Sequence, residues 1–414
     1  MMRFHRIVAA LLFSSIGLVW ASPALAGKAC VPLKPETCTL GELATHLGIR
    51  FGSTLEDFEI ADANYVEILS REFNAVTPEN SLKMYVTQSA QGVWSFTASD
   101  AVVATAESEG LDIRGHTLVW SQNSYTPDWV KAISDPDDLW TVTADQITEV
   151  MTRYLGRVNR WDVVNEPLET FGTVPSSSVF WSMGDDWIKR AFDLADSIDP
   201  QAELWINEYG TDWVNGKHEA YLALVKDLVD AGTPIDGVGI QTHRLPGMAI
   251  DQGLFEEQLR DFTRLGLKVA ITELDVPVSP SESNALAWQA MEYGKVVAAC
   301  LAVVGCTEIT LWGLSDRDTW LDSLGTFAVP TRPLLFDNDL QPKVAYTAVR
   351  EAMSNAILSR ELPVPGGPDG ELPVTGGPDG RILSLGLLVT LVGLSLLVRR
   401  RQVNGADRYR VQFK

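Results

Sequence analysis

Between about residues 40 and 358, eight short apolar segments alternate with stretches whose apolar residues recur at helical spacing. The segments are IRFGSTL (49–55), FNAVTPEN (73–80), LDIRGHTLVW (111–120), RWDVVNEP (160–167), AELWINEY (202–209), DGVGIQTH (236–243), LKVAITELD (267–275) and TEITLWGLSD (307–316). They are rich in Val, Ile and aromatic residues and predict strands. DWIKRAFDLADSIDP (186–200) and HEAYLALVKDLVDAG (218–232) predict amphipathic helices, closed by Asp-Pro and Ala-Gly. Strict alternation of strand and helix predicts a parallel sheet of the α/β class. Eight units predict a closed (β/α)₈ TIM barrel. The rival, a doubly wound open sheet, carries a Gly-rich phosphate loop after its first strand, and RFGSTLEDFE lacks that spacing.

Polar residues gather where the predicted strands stop. The second ends on Glu79-Asn80, and the third carries His116 and Trp120. The fourth ends on Asn165-Glu166, the fifth on Asn207-Glu208, and the sixth on Gln241 and His243. The seventh ends on Glu273 with Asp275 beyond it, and the eighth on Trp312 and Asp316. In a barrel these ends share one face, where such folds keep their sites. One polar residue at a strand end is as well explained by solvent; seven strands ending this way point to a site. Carboxylates supply acid–base chemistry, amides and imidazoles bind hydroxyls, and indole planes stack on sugar rings. There is no His/Cys cluster at metal-ligand spacing and no Ser-centred nucleophile elbow, so neither a metal nor a cofactor is expected. Two carboxylates flanking a glycosidic bond are the minimal machinery of glycoside hydrolysis. Glu166 and Glu273 form the natural pair, because the fourth and seventh strands lie roughly across a barrel from each other.

The termini add a location. Arg3, His5 and Arg6, the apolar run Ile7 to Trp20, and Ala24-Leu25-Ala26 read as a secretory leader over 1–26, rather than a short membrane anchor. Export gives meaning to the close pairs Cys30/Cys38 and Cys300/Cys306, which read as two local disulfides, although four cysteines allow three connectivities. After a catalytic body at 27–358, ELPVPGGPDG and ELPVTGGPDG repeat within a Pro/Gly spacer, 359–380. The segment 381–414 then holds an apolar run, 382–398, and Arg399-Arg400-Arg401. Leu372-Pro373-Val374-Thr375-Gly376 fits LPxTG, and the order of motif, apolar run and basic tail resembles a cell-wall sorting signal cut by sortase. Thirteen residues after the arginines make that tail long, and a membrane anchor is the alternative. The formal charge of -21 disfavours nucleic acid as a partner. Loss of both basic ends would leave the body more acidic still. A monomer is the default.

TPENSLK (77–83), RGHTLVW (114–120), WDVVNEP (161–167), ELWINEY (203–209), DGVGIQTH (236–243), ITELDV (271–276) and LWGLSDRDTW (311–320) resemble, in order, the motifs of family 10 glycoside hydrolases. The resemblance covers about residues 42–355. It implies a retaining endo-1,4-β-xylanase acting on xylan or xylo-oligosaccharides without a cofactor. It implies Glu166 as general acid/base, Glu273 as nucleophile, His243 as the hydrogen-bond partner of the nucleophile, Asp275 as the partner of that histidine, and Asn165 on the sugar 2-hydroxyl. Glu79, Asn80, Lys83, His116, Trp120 and Gln241 match glycone-side binding positions, and Trp312 and Trp320 match the aromatic walls of the cleft. Glu166 must be protonated to donate to the leaving oxygen, and Glu273 ionised to attack. Three departures stand out. Ser121 follows Trp120 where the family usually has His, and the loop SQNSYTPDW is about two residues longer. Glu208-Tyr209-Gly210 replaces the usual Asp-Tyr-Asn. A β-1,4-glucan or mixed β-glycan hydrolase, and a non-catalytic xylan-binding surface protein, are the alternatives.

Overall fold

The computed structural model describes residues 30–31, 34, 37–175, 178–213, 216–279, 283–325, 327 and 330–361. The segments read as a leader (1–26), a sorting motif (372–376) and an apolar run (382–398) lie outside the described residues. Among the described residues no helix is long and apolar enough to cross a membrane.

Nine strand segments build one sheet: β1 (Arg50–Leu55), β2 (Ala75–Pro78), β3 (Asp112–Gly115), β4 (Val119–Trp120), β5 (Arg160–Asn165), β6 (Glu203–Glu208), β7 (Gly237–Ile240), β8 (Lys268–Leu274) and β9 (Cys306–Leu311). Their order is β3-β2-β1-β9-β8-β7-β6-β5-β4, and β3 also pairs with β5, which closes the ring. All these pairings are parallel. Both β3 and β4 lie against β5, so they are two pieces of one stave, and the architecture is the predicted (β/α)₈ barrel.

The third stave differs from the continuous 111–120 strand that its composition predicts. It breaks between Gly115 and Val119 because β5 offers side-chain partners there. The Asp162 carbonyl accepts from the Thr117 hydroxyl (2.7 Å) and from the Leu118 N–H (3.0 Å), while the Asp162 carboxylate lies 2.9 Å from His116 Nδ1. The pairing of β5 with β6 shifts register at the same place, between Asp162 and Val164.

Helices Trp187–Ile198 and Lys217–Asp230 fall where the apolar spacing placed them. Helix starts carry their own signals. Thr39 and Glu42 form a capping box on Leu40–Leu47, and Asp135 caps Pro136–Arg153 ahead of a proline at its first turn. The cysteines are bonded as Cys30–Cys38 and Cys300–Cys306, the local pairing; the second ties the end of helix Ala285–Leu301 to the start of β9.

Large residues are matched to glycines at the same register on the adjacent strand, inside the barrel for Trp205 and Asn207 and on the helix-facing side for Trp161, which alternates with inward Arg160 and Asp162. Trp161 pairs with Gly115, Trp205 with Gly237 and Asn207 with Gly239. A β-carbon on these glycines would stand 2.2, 2.4 and 2.2 Å from the facing side chain, so only glycine fits. Deeper in, Arg114 is buried between Asp162 (2.5 Å) and Glu308 (3.1 Å), with its guanidinium 4.8 Å from the Trp205 ring. Arg160 completes the cluster, 3.5 Å from Glu308 and 3.3 Å from Asp112.

Candidate active site

Because all staves run parallel, their C-terminal ends deliver side chains to one face. Glu166 follows β5 directly, and its backbone takes φ 56°, a left-handed conformation unusual for a residue with a side chain. Its N–H donates to the Asn207 carbonyl at the end of β6 (2.9 Å). The Glu166 carboxylate accepts from Gln241 Nε2 (2.9 Å) and Asn165 Nδ2 (3.4 Å), both at Oε1. Oε2 is therefore the oxygen left to exchange a proton with a substrate. Gln241 follows β7 and is itself followed by Thr242 at φ 61°, a second left-handed residue on this face.

Glu273, near the end of β8, is buried, and both of its oxygens are held. Oε1 accepts from Asn207 Nδ2 (2.7 Å), and Oε2 lies 3.0 Å from His243 Nε2. The other ring nitrogen of His243 lies 2.8 Å from Asp275 Oδ2, which also accepts from Trp320 Nε1 (2.9 Å). The two glutamates are joined by a continuous amide path. Gln241 Nε2 reaches Asn165 Oδ1 (3.3 Å), Asn207 Nδ2 donates to the same oxygen (2.9 Å), and Asn207 Nδ2 also reaches Glu273. Side chains from three staves thus hold both carboxylates in one cleft.

Their electrostatic settings follow from these contacts. Burial pushes the Glu273 carboxyl up, but the His243 hydrogen bond and the neighbouring histidine and lysine charges outweigh it, and the group is held below the usual carboxylate range. Burial pulls His243 down, yet Asp275 and then Glu273 on its two nitrogens push it up to about 10. The imidazole is consequently a fixed cation between two carboxylates.

Other predicted residues stand around the same carboxylates. Lys83, buried, donates to Asn80 Oδ1 (3.1 Å), and Asn80 Nδ2 donates to Glu56 (2.7 Å) and Glu79 (3.3 Å). Burial and the charge of Glu79 push Glu56 up to about 7, and burial pushes Glu79 up as well. Lys83 is lowered by burial against the opposing charges of Glu273, Glu79, Glu166 and Glu56, which places all of these in one field. The Trp312 ring meets His116 edge-on at 5.1 Å and His243 at 6.1 Å, and Trp320 lies 4.9 Å from His243. Asp316, the last polar residue of the eighth predicted strand, turns away to Lys343 (2.8 Å) and the Leu334 N–H (2.8 Å).

Three features were not assigned roles from the sequence. Asn207 bridges the carboxylates; its signal was a strand-terminal amide in register with Gly239. Glu208, pushed up to about 7 by burial, accepts from the Leu168 and Tyr209 N–H groups (2.9 and 3.0 Å) and pairs with buried Lys217 (2.8 Å), bracing the chain just past Glu166. Asp162 anchors His116 and Arg114 together. Among the described residues, the one group of three metal-ligating side chains within 4.8 Å is Cys30, Cys38 and Glu42, whose cysteines are in a disulfide.

A family model described as glycosyl hydrolase family 10 matches residues 39–352. The chain belongs to this family. Among its relatives, endo-1,4-beta-xylanase 1 of Humicola insolens is 34% identical over 327 residues, covering 77% of this chain and 75% of that protein. Endo-1,4-beta-xylanase A of the same fungus is 37% identical over 288 residues, covering 69% and 76%. Among solved structures, native xylanase 10B from Thermotoga maritima aligns with a TM-score of 0.72 at 32% identity, over 78% of this chain and all of that one. Xylanase 10B from Thermotoga petrophila RKU-1, in complex with xylobiose, aligns with a TM-score of 0.72 at 31% identity, over 77% and 98%. As a family 10 member the chain is a glycoside hydrolase, and the two glutamates are its candidate chemistry.

Proposed function

We propose that this glycoside hydrolase is a retaining endo-1,4-β-xylanase. The relatives named above carry that activity in their names. The single observation that carries the reading is the amide path from Glu166 through Gln241, Asn165 and Asn207 to Glu273, which sets two carboxyl groups with unlike surroundings on one cleft. Glu273, kept ionised, attacks the anomeric carbon while Glu166 gives its proton to the glycosidic oxygen. The bond to the leaving sugar breaks as the Glu273 ester forms. Glu166, now a carboxylate, takes a proton from water; the resulting hydroxyl attacks the same carbon and Glu273 leaves. The His243 cation stabilises the departing carboxylate, Asp275 keeps that cation in place, and Asn165 meets the sugar 2-hydroxyl. Glu79, Asn80, Lys83, His116, Trp120 and Gln241 bind the glycone, and Trp312 and Trp320 form the cleft wall.

Reducing-sugar release from xylan by residues 27–361 tests the activity, with the anomer released first read by proton NMR. Retention and loss of turnover in Glu273→Ala are expected. Folded protein without activity on xylan, or a fully active Glu273→Ala, would overturn the assignment, and faster turnover of cello-oligosaccharides would move the substrate to β-1,4-glucan. Display at the cell surface is part of the proposal, supported by the leader-like 1–26 and the LPVTG–apolar–basic order at 372–401. Thr375→Ala should move the protein from the wall fraction to the membrane fraction if sortase attaches it, and leave its place unchanged if the apolar run is the anchor.

A further inference from the structure

The loop 121–127 departs from the family pattern, and its structure assigns the change a use. Ser121 does not reach the cleft: it is fully buried, its hydroxyl 3.1 Å from Ser178 Oγ and its N–H on the Asn165 carbonyl (2.9 Å). Asn123 Oδ1 accepts from the Val179 N–H (3.0 Å), and Gln122 Nε2 donates to the Glu166 carbonyl (3.3 Å). A single 3₁₀ turn, Asn123–Tyr125, is closed by the Thr126 hydroxyl on the Gln122 carbonyl (3.0 Å). That turn lays the Tyr125 ring on Trp120, with centroids 3.8 Å apart and planes within 7°.

Lys83 Nζ stands 4.4 Å from the centroid of the same Trp120 ring. A parallel ring at 3.8 Å fills one face of an indole, so the ammonium occupies the other. Both faces of Trp120 are thus taken, which leaves its ring edge to meet the glycone. The aromatic surface that this corner offers is the outer face of Tyr125, which is 40% exposed and stands with exposed Ser124 at the tip of the turn. Tyr125 also lies within the field of Glu166: burial, and then the charge of that carboxylate, push its phenol up.

We propose that Tyr125 is a substrate-binding residue, its outer face being the platform for the sugar on the Lys83 side of Glu166. The apolar face of a β-1,4-linked pyranose stacks on such a ring, and the phenol can donate to a ring hydroxyl. This rests on the xylanase reading.

The test compares Tyr125→Ala, Tyr125→Leu and Tyr125→Phe with the unaltered enzyme. KM and kcat are measured on an aryl xylobioside, together with the position of cleavage in xylopentaose and the binding of xylobiose by calorimetry. The Ala and Leu variants should raise KM and weaken xylobiose binding about 3- to 10-fold with kcat changed less, and should shift the cleaved bond of xylopentaose; Phe should restore most of the binding. Tyr125→Leu keeps apolar bulk against Trp120, so unchanged KM, binding and cleavage position in that variant would overturn the proposal and leave Tyr125 a wedge for Trp120. If the unaltered enzyme fails on xylan, the parent reading falls, and xylobiose calorimetry still decides whether Tyr125 contacts sugar.

Discussion

Gly239→Ala should disable the site from behind. Gly239 lies in β7 opposite Asn207, and an added β-carbon would stand 2.2 Å from Asn207 Oδ1 and 2.9 Å from Thr272 Cγ2. Ordinary contact needs roughly 3.5 Å, so the amide must retreat by about 1 Å. It cannot do so alone, because Thr272 donates to Oδ1 (2.7 Å) while Nδ2 holds Asn165 and Glu273. A displacement of that size at a reacting group costs on the order of 100-fold in rate. Overpacking of the interior should cost about 1–3 kcal/mol of stability. Initial rates on an aryl xylobioside, paired with urea unfolding, separate the two effects. Gly237→Ala is the control, since it strikes the Trp205 ring rather than Asn207 and should lose stability with a smaller change in kcat. A double-mutant cycle closes the argument. In an Asn207→Ala background the substitution at 239 should cost little further activity, since the side chain it displaces is gone. Additive losses, or full kcat in Gly239→Ala, would refute the reasoning.

Glu166→Ala should slow hydrolysis of xylan by about 10²- to 10⁴-fold while sparing aryl glycosides whose leaving group needs no proton, in the step that forms the glycosyl-enzyme; equal losses on both substrates would contradict the acid role. Stability should fall as pH rises from about 5 to 10. His243, Glu59, Glu56 and Glu208, pushed up to about 10, 8, 7 and 7, each give stability that is complete below their ordinary values and is lost as pH climbs through the folded ones. Glu273, held low, acts oppositely and is lost only on acidification below the ordinary carboxylate range; a thermal midpoint that increased with alkalinity would contradict the scheme. Glu308→Leu removes an anion shared by buried Arg114 and Arg160 and should cost about 3–5 kcal/mol in urea unfolding, a loss absent if water enters to solvate them.

The alternation of apolar segments was enough to place all eight staves, because parallel strands covered on both sides are made of near-continuous β-branched and aromatic residues. The break at 116–118 was not legible, since it depends on Asp162 of another stave rather than on the residues that break. His243, Asp275 and Glu273 were legible on one face because each stands at a strand end, and their pairing followed from the resemblance to family 10. Asn207 stands there too, but its bond to Glu273 needs the register of β6 and the space left by Gly239. The facing pair of a Trp-x-Asn strand and a Gly-x-Gly strand was a signal in plain view, readable only once the two were known to be neighbours. Tyr125 lay hidden for a different reason: a loop insertion has no periodicity from which a direction can be read.

The Arg114 cluster bears on how the ring is assembled. Its guanidinium comes from early in the polypeptide, Asp162 from the next stave, and Glu308 from the last. A half-ring ending near residue 201 would leave Arg114 and Arg160 without the Glu308 carboxylate that they share, in a nonpolar setting, an arrangement that water would invade. Partial rings are therefore poor resting points, and neither fragment 30–201 nor 202–361 should persist alone, whereas a mixture of the two should recover the fold. Closure from end to end is what neutralises the centre, so the last stave acts as the latch for the first.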